Sequence, residues 1–165
     1  MNIILIGMPG AGKSTIGVLL AKALGMNFVD TDIVLQKQEG RLLYEILGTD
    51  GLERFLEIEE SVVSNLELSN CVVATGGSVV YSSKAMKKLR KSGISIYLYV
   101  PYEEIEKRVR NIITRGIVIP EGKTLRDIYD ERAPLYSTYS DVTLDCTGKD
   151  IEKVVAEAIE LITVY

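Results

Sequence analysis

Gly7-Met8-Pro9-Gly10-Ala11-Gly12-Lys13-Ser14-Thr15 is the stretch that decides how the rest of the chain is read. It satisfies the pattern G-x-x-x-x-G-K-[ST] at every fixed position, and its flanks are those the pattern requires. Residues 2–6 (Asn-Ile-Ile-Leu-Ile) read as a buried strand running into it, and residues 13–24 read as a helix leaving it. The spelling has a physical basis. Successive backbone N–H groups must converge on a phosphate, and glycine reaches the required dihedrals without a Cβ clash. The helix N-terminus adds its positive dipole end, Lys13 a cation for the outer phosphates, and the Ser14 hydroxyl a Mg²⁺ ligand. The expected ligand is a nucleoside triphosphate, held by Gly10, Ala11, Gly12, Lys13, Ser14 and Thr15.

Outward from this loop, strand and helix patterns alternate to the end of the chain. Strands are expected at 27–30, 71–75, 94–100 and 142–145. Helices are expected at about 31–37, 42–47, 52–68, 82–89, 102–111, 125–131 and 150–162, with a turn at 48–51 and a loop at 112–123. Five apolar strands separated by helices imply an α/β fold of three layers, α/β/α, around a five-stranded parallel sheet. Right-handed crossovers bring the strands' carboxyl ends to one edge, where such sheets bind ligands. The phosphate loop, Asp30 and Asp32, and Gly76-Gly77-Ser78 all fall at that edge.

The bulk properties narrow the partners. The 165 residues fit one domain, 47% apolar and 25% charged. A net charge of −4 argues against nucleic acid and against an anionic membrane surface, so a small-molecule acceptor is expected. No apolar run approaches the roughly 20 residues of a membrane span. Cys71 and Cys146 lie in or beside strands and form no metal motif, which with the strand-first N-terminus points to a cytoplasmic protein. A monomer is expected, with a dimer left open. The chain contains no histidine, so a general base must be a carboxylate, a lysine or a water they hold.

Three further features carry chemistry. Asp30-Thr31-Asp32 sets two carboxylates at a strand end opposite the phosphate loop. Asp30, nearer the strand, is the candidate to hold Mg²⁺ through water, and Asp32 to orient or deprotonate an acceptor hydroxyl. The competing reading is a plain helix cap. Glu59 falls within the stripe Leu52, Phe55, Leu56, Val62, Val63 and Leu66 of the long helix, where a carboxylate needs a partner, in a structural pair or in a substrate pocket. The 112–123 loop, with Arg115 before Gly116 and flanked by Arg108, Arg110 and Arg126, has the make-up of a closing lid.

Taken together, these residues resemble the shikimate kinase family of small phosphate-loop kinases. The loop, Asp30-x-Asp32, Phe55…Glu59, Thr75-Gly76-Gly77, Arg115 and Glu131-Arg132-x-Pro134-Leu135-Tyr136 occur in the family's order across nearly the whole chain. The resemblance implies a single kinase domain over residues 1–165 with a lid, using ATP and Mg²⁺ to phosphorylate a hydroxyl of shikimate. It implies catalytic roles for Lys13, Asp32 and Arg115, and Arg108 and Arg115 on ATP. It places Ser14 and Asp30 at the metal, and Asp32, Glu59, Gly76, Gly77, Ser78 and Arg132 at the acceptor, Arg132 on its carboxylate. The chain departs from the family at Leu56, where an arginine is usual, at Ser78 (glycine) and at Gly116 (proline). A kinase for another hydroxylated metabolite and an ATP-binding regulatory protein are the competing readings.

Overall fold

The computed structural model describes residues 1–110, 117 and 119–164. The order of elements is β1 Asn2–Ile6, α1 Lys13–Leu24, β2 Asn27–Asp30, α2 Thr31–Glu39, α3 Leu43–Ser64, β3 Cys71–Ala74, a 3₁₀ turn Val79–Tyr81, α4 Ser83–Ser92, β4 Gly93–Tyr99, α5 Tyr102–Arg110, α6 Leu125–Tyr139, β5 Val142–Asp145 and α7 Ile151–Val164. The strands form one parallel sheet in the order β2-β3-β1-β4-β5. β1, at its centre, is buried along its whole length and runs between β3 and β4, with Ile4 opposite Val73 and Ser95. Parallel strands covered on both faces read as largely apolar runs, as the inner strands β1, β3 and β4 do, while the edge strands β2 and β5 are partly exposed.

The main core joins both faces of the sheet to α1, α4, α6 and α7. A second, smaller cluster of Leu35, Ile46, Phe55, Ile58 and Val62 lies between α2 and α3, with Leu56 packed against it. The α2–α3 pair therefore carries its own apolar centre beside the sheet.

Two helix ends are corrected. Leu43–Ser64 is two helical stretches run together across a kink at Gly51 (φ 80°, ψ 174°), where the sequence places a turn, and the second stretch stops at Ser64, short of the expected Leu68. The helix expected to end at Glu131 continues through Pro134 to Tyr139. Pro134 removes a backbone donor but does not end the helix, because Arg132 and Tyr136 are both buried and hold the next turns in place. A 3₁₀ turn, Val79–Tyr81, follows Gly77-Ser78, a stretch for which the sequence carried no expectation.

Candidate functional site

The carboxyl ends of β1, β2 and β3 open onto a cavity of about 480 Å³. Its walls include Gly12, Lys13 and Ser14 of the phosphate loop, Asp30 and Asp32 beyond β2, Gly76-Gly77-Ser78 beyond β3, and Arg132 of α6. Residues up to 123 apart in sequence, from Pro9 to Arg132, thus meet because three parallel strands end together. Ile33, Leu42, Leu43, Tyr44 and Phe55 give the α2–α3 side of the cavity an apolar wall, and Ile117 also reaches it.

The loop takes the conformation its glycines allow. Gly10 (φ 83°) and Gly12 (φ 93°) sit in the left-handed region, and Gly12 is the residue from which α1 starts. Lys13 is buried, and its Nζ donates to the carbonyls of Gly7 (2.7 Å) and Met8 (2.8 Å), which fixes the ammonium inside the loop's curve. Ser14 and Thr15 are exposed in the first turn of α1. Arg108 of α5 braces the loop from the other side. Its Nη1 donates to the Gly10 carbonyl at 3.0 Å and its Nη2 to Glu104 at 3.2 Å. A second cavity, about 660 Å³, lies there between Arg108, Ala11, Gly12 and the start of α7.

Asp30 caps α2 and also meets the phosphate loop. Its Oδ1 caps α2, accepting from the N–H groups of Asp32 and Ile33, while its Oδ2 accepts from the Ser14 hydroxyl at 2.6 Å. Asp32 also lines the cavity. Thr31, between them, points back: its Oγ1 accepts from the Gly76 N–H at 3.0 Å, tying the end of β2 to the turn after β3.

That turn explains its own glycines. A Cβ on Gly76 would lie 2.5 Å from Glu59 Oε1 and 2.7 Å from Asp32 Oδ1, and one on Gly77 would lie 2.8 Å from Pro9 Cδ and 3.2 Å from Arg132 Nη1. Side chains there would push the carboxylates and the guanidinium apart. Ser78, by contrast, turns its hydroxyl inward and donates to Glu59 Oε2 at 2.7 Å. Glu59 stands behind Gly76, nine-tenths buried or more, and its Oε1 has no hydrogen-bond partner among the described residues. Burial, only partly offset by the Ser78 hydrogen bond, pushes its carboxyl up to about 7, with the nearby Asp32 charge acting in the same direction.

A pH test follows. A carboxyl raised above its ordinary value near 4.5 holds an extra proton in the folded state, so stability falls as pH rises from 4.5 through 7. Glu59→Gln, which can still accept from Ser78, is expected to match the parent near pH 4 and to exceed it by up to about 3 kcal/mol at pH 8. Denaturant midpoints at the two pH values check this. A constant difference between the proteins would mean that Glu59 ionises without penalty.

Arg132 is 1% exposed. Its Nε donates to the Tyr81 hydroxyl at 3.2 Å, and its guanidinium lies 5.1 Å over the Tyr81 ring. Tyr136, one turn along α6, donates to the Gly77 carbonyl at 2.6 Å and so locks the glycine turn against the same helix. Tyr81, Thr31 and Tyr136 were not singled out as site residues in the sequence. Two of the arginines flanking the lid loop are surface pairs: Arg110 with Glu106, and Arg126 with Asp130. Leu56 does not line the cavity; it belongs to the α2–α3 cluster. Arg115 and Gly116, with half of the expected lid, lie outside the described residues.

The family described as shikimate kinase matches residues 9–163. A shikimate kinase from Caldanaerobacter subterraneus subsp. tengcongensis is 37% identical over 161 residues, spanning 96% of this chain and 94% of that protein. This chain belongs to the shikimate kinase family. Its enzyme class follows: it is a phosphotransferase with an alcohol group as acceptor. A shikimate kinase from Acinetobacter baumannii, solved in complex with shikimate, superposes with a TM-score of 0.91 at 30% identity, covering 99% of this chain and 93% of that one. A thymidylate kinase from Candida albicans shares the fold at a TM-score of 0.65 and 15% identity. The three-layer phosphate-loop kinase architecture expected from the sequence is thereby established. No helix among the described residues is long and apolar enough to cross a membrane.

Proposed function

We propose that this protein transfers the γ-phosphoryl group of ATP to the 3-hydroxyl of shikimate, in the cavity shared by Lys13, Ser14, Asp32 and Arg132. The observation that carries the proposal is that one cavity joins a phosphate-binding loop to a carboxylate and a buried guanidinium. The left-handed glycines, inward-facing Lys13 and start of α1 fit a triphosphate. The second cavity beside Arg108 has the place and size for the nucleoside. Mg²⁺ also fits the donor set. Ser14 Oγ and Asp30 Oδ2, 2.6 Å apart, are hard oxygens at the loop's edge, and no cluster of three or more His, Cys, Asp or Glu among the described residues would hold a metal unaided. Such a site suits an ion that keeps waters and phosphate oxygens in its shell. When bound, Mg²⁺ would neutralise charge developing on the phosphates.

The chain's own residues supply the rest. Lys13 presents its charge to the transferred group from inside the loop. Asp32, at the cavity wall, orients the acceptor hydroxyl and takes its proton. Arg132 holds the acceptor carboxylate, and Gly76 and Gly77 let the acceptor approach the backbone between them. Arg115 is assigned by the resemblance to the phosphates. Buried free thiols at Cys71 and Cys146 suit a reducing, cytoplasmic setting.

ADP release with Mg²⁺-ATP, measured with and without millimolar shikimate, tests the proposal. A large shikimate-dependent rate is expected. ATP binding without stimulation would redirect the acceptor to another hydroxylated metabolite, the reading that Leu56 favours by removing a cation from the family's acceptor pattern.

A further inference from the structure

The Arg132 guanidinium does not stand alone. The Tyr81 hydroxyl accepts from Arg132 Nε at 3.2 Å and donates to Glu131 Oε1 at 2.5 Å. The other carboxylate oxygen of Glu131 accepts from Lys123 Nζ at 2.5 Å. Lys123 belongs to the turn before α6, where its N–H donates to the Pro120 carbonyl at 3.1 Å. The polarity is consistent along the chain. Lys123 and Tyr81 both hold the Glu131 carboxyl below its usual range, so it stays an acceptor. Burial and the Glu131 carboxylate hold the Tyr81 hydroxyl above its usual range, so it stays a donor. The Tyr81 ring also lies against the guanidinium face. Hydroxyl and ring together constrain both the plane and the position of the group.

We infer that Tyr81 is a positioning residue for the acceptor: linked through Glu131 to Lys123, it fixes the orientation in which Arg132 meets the acceptor carboxylate. The inference rests on Arg132 binding that carboxylate. A guanidinium pairs a carboxylate through two parallel N–H···O bonds, so a rotation of its plane costs binding even when its charge stays in place. Tyr81 lies in the 3₁₀ turn directly after Gly77-Ser78. The turn that shapes the acceptor site therefore also supplies the group that aims its cation. The ion pair to Lys123 makes that aim depend on the turn that ends the 112–123 loop.

Tyr81→Phe keeps the ring and deletes both hydrogen bonds. It is expected to raise the KM for shikimate about tenfold, the usual weight of one hydrogen bond to a charged group, with kcat within about threefold and the KM for ATP unchanged. Glu131→Gln, which weakens the same chain without touching Tyr81, is expected to raise the shikimate KM about threefold, and it serves if Tyr81→Phe does not fold. The two changes combined are expected to fall short of the product of their separate effects, because they act through one chain of bonds. A purely structural role would lower the melting temperature and disturb both KM values alike, which overturns the inference. So does an unchanged shikimate KM in Tyr81→Phe. Arg132→Met separates the two levels. If it too leaves the shikimate KM unchanged, the assignment of Arg132 to the carboxylate is what fails; if it raises that KM while Tyr81→Phe does not, only the positioning role falls.

Discussion

Lys13→Ala is expected to reduce shikimate-dependent ADP release by about a thousandfold, with a smaller rise in the KM for ATP. The asymmetry follows from where the ammonium sits. Lys13 is only 8% exposed, and the carbonyls of Gly7 and Met8 hold its Nζ within the loop's curve. A cation fixed in that way needs little reorganisation when charge spreads over the transferred phosphoryl group, so it favours the transition state over the ground state. Losing one preorganised donor of this kind typically costs a factor of 10² to 10³, and here a full charge goes with it. ATP would still meet the backbone N–H groups and the start of α1, so binding should survive better than turnover. Single-turnover rates and ATP binding, measured on a variant whose circular dichroism matches the parent, check the result. Turnover within tenfold of the parent would remove the phosphate loop from the chemistry.

Much of this site was legible in the sequence because its signals are local. The phosphate loop is a contiguous pattern, and the strand before it and the helix after it are written in neighbouring residues. Asp30 and Asp32 could be placed at a strand end from the short strand pattern Asn27-Phe28-Val29 that precedes them. What could not be read was pairing across the fold. Glu59 announced that it needed a partner, but Ser78 is 19 residues away, and no periodicity links them. Tyr81 meets Arg132 across 51 residues and carries no motif of its own. The end of α6 was misplaced for a related reason. Pro134 is a local stop signal, and it is overruled by the burial of Arg132 and Tyr136, which is a property of the assembled core.

The departure at Leu56 also reads differently once the cluster is seen. In sequence it is a missing cation. In the fold it is an apolar side chain packed against Leu35, Ile46, Phe55, Ile58 and Val62, so the α2–α3 unit uses the position for cohesion. Among the described residues, Lys13 and Arg132 are the cationic side chains on the cavity wall. With Lys13 placed within the phosphate loop, the acceptor carboxylate depends on Arg132.

That dependence sets the second large effect. Arg132→Met is expected to raise the KM for shikimate about a hundredfold while leaving the KM for ATP within about twofold. Removing one member of a desolvated charge pair costs roughly 2–5 kcal/mol, which is tens- to thousands-fold in affinity. Methionine keeps most of the stem that packs in α6, and Glu131 and Tyr81 retain each other and Lys123. The decisive comparison uses an acceptor in which the carboxylate is reduced to a primary alcohol. The parent enzyme should discriminate against it by about the factor that Arg132→Met loses on shikimate, and the variant should treat the two acceptors nearly alike, because the same contact would be missing from either side. Undiminished discrimination in the variant would place the carboxylate elsewhere in the cavity and leave Arg132 as a structural cation held by Tyr81.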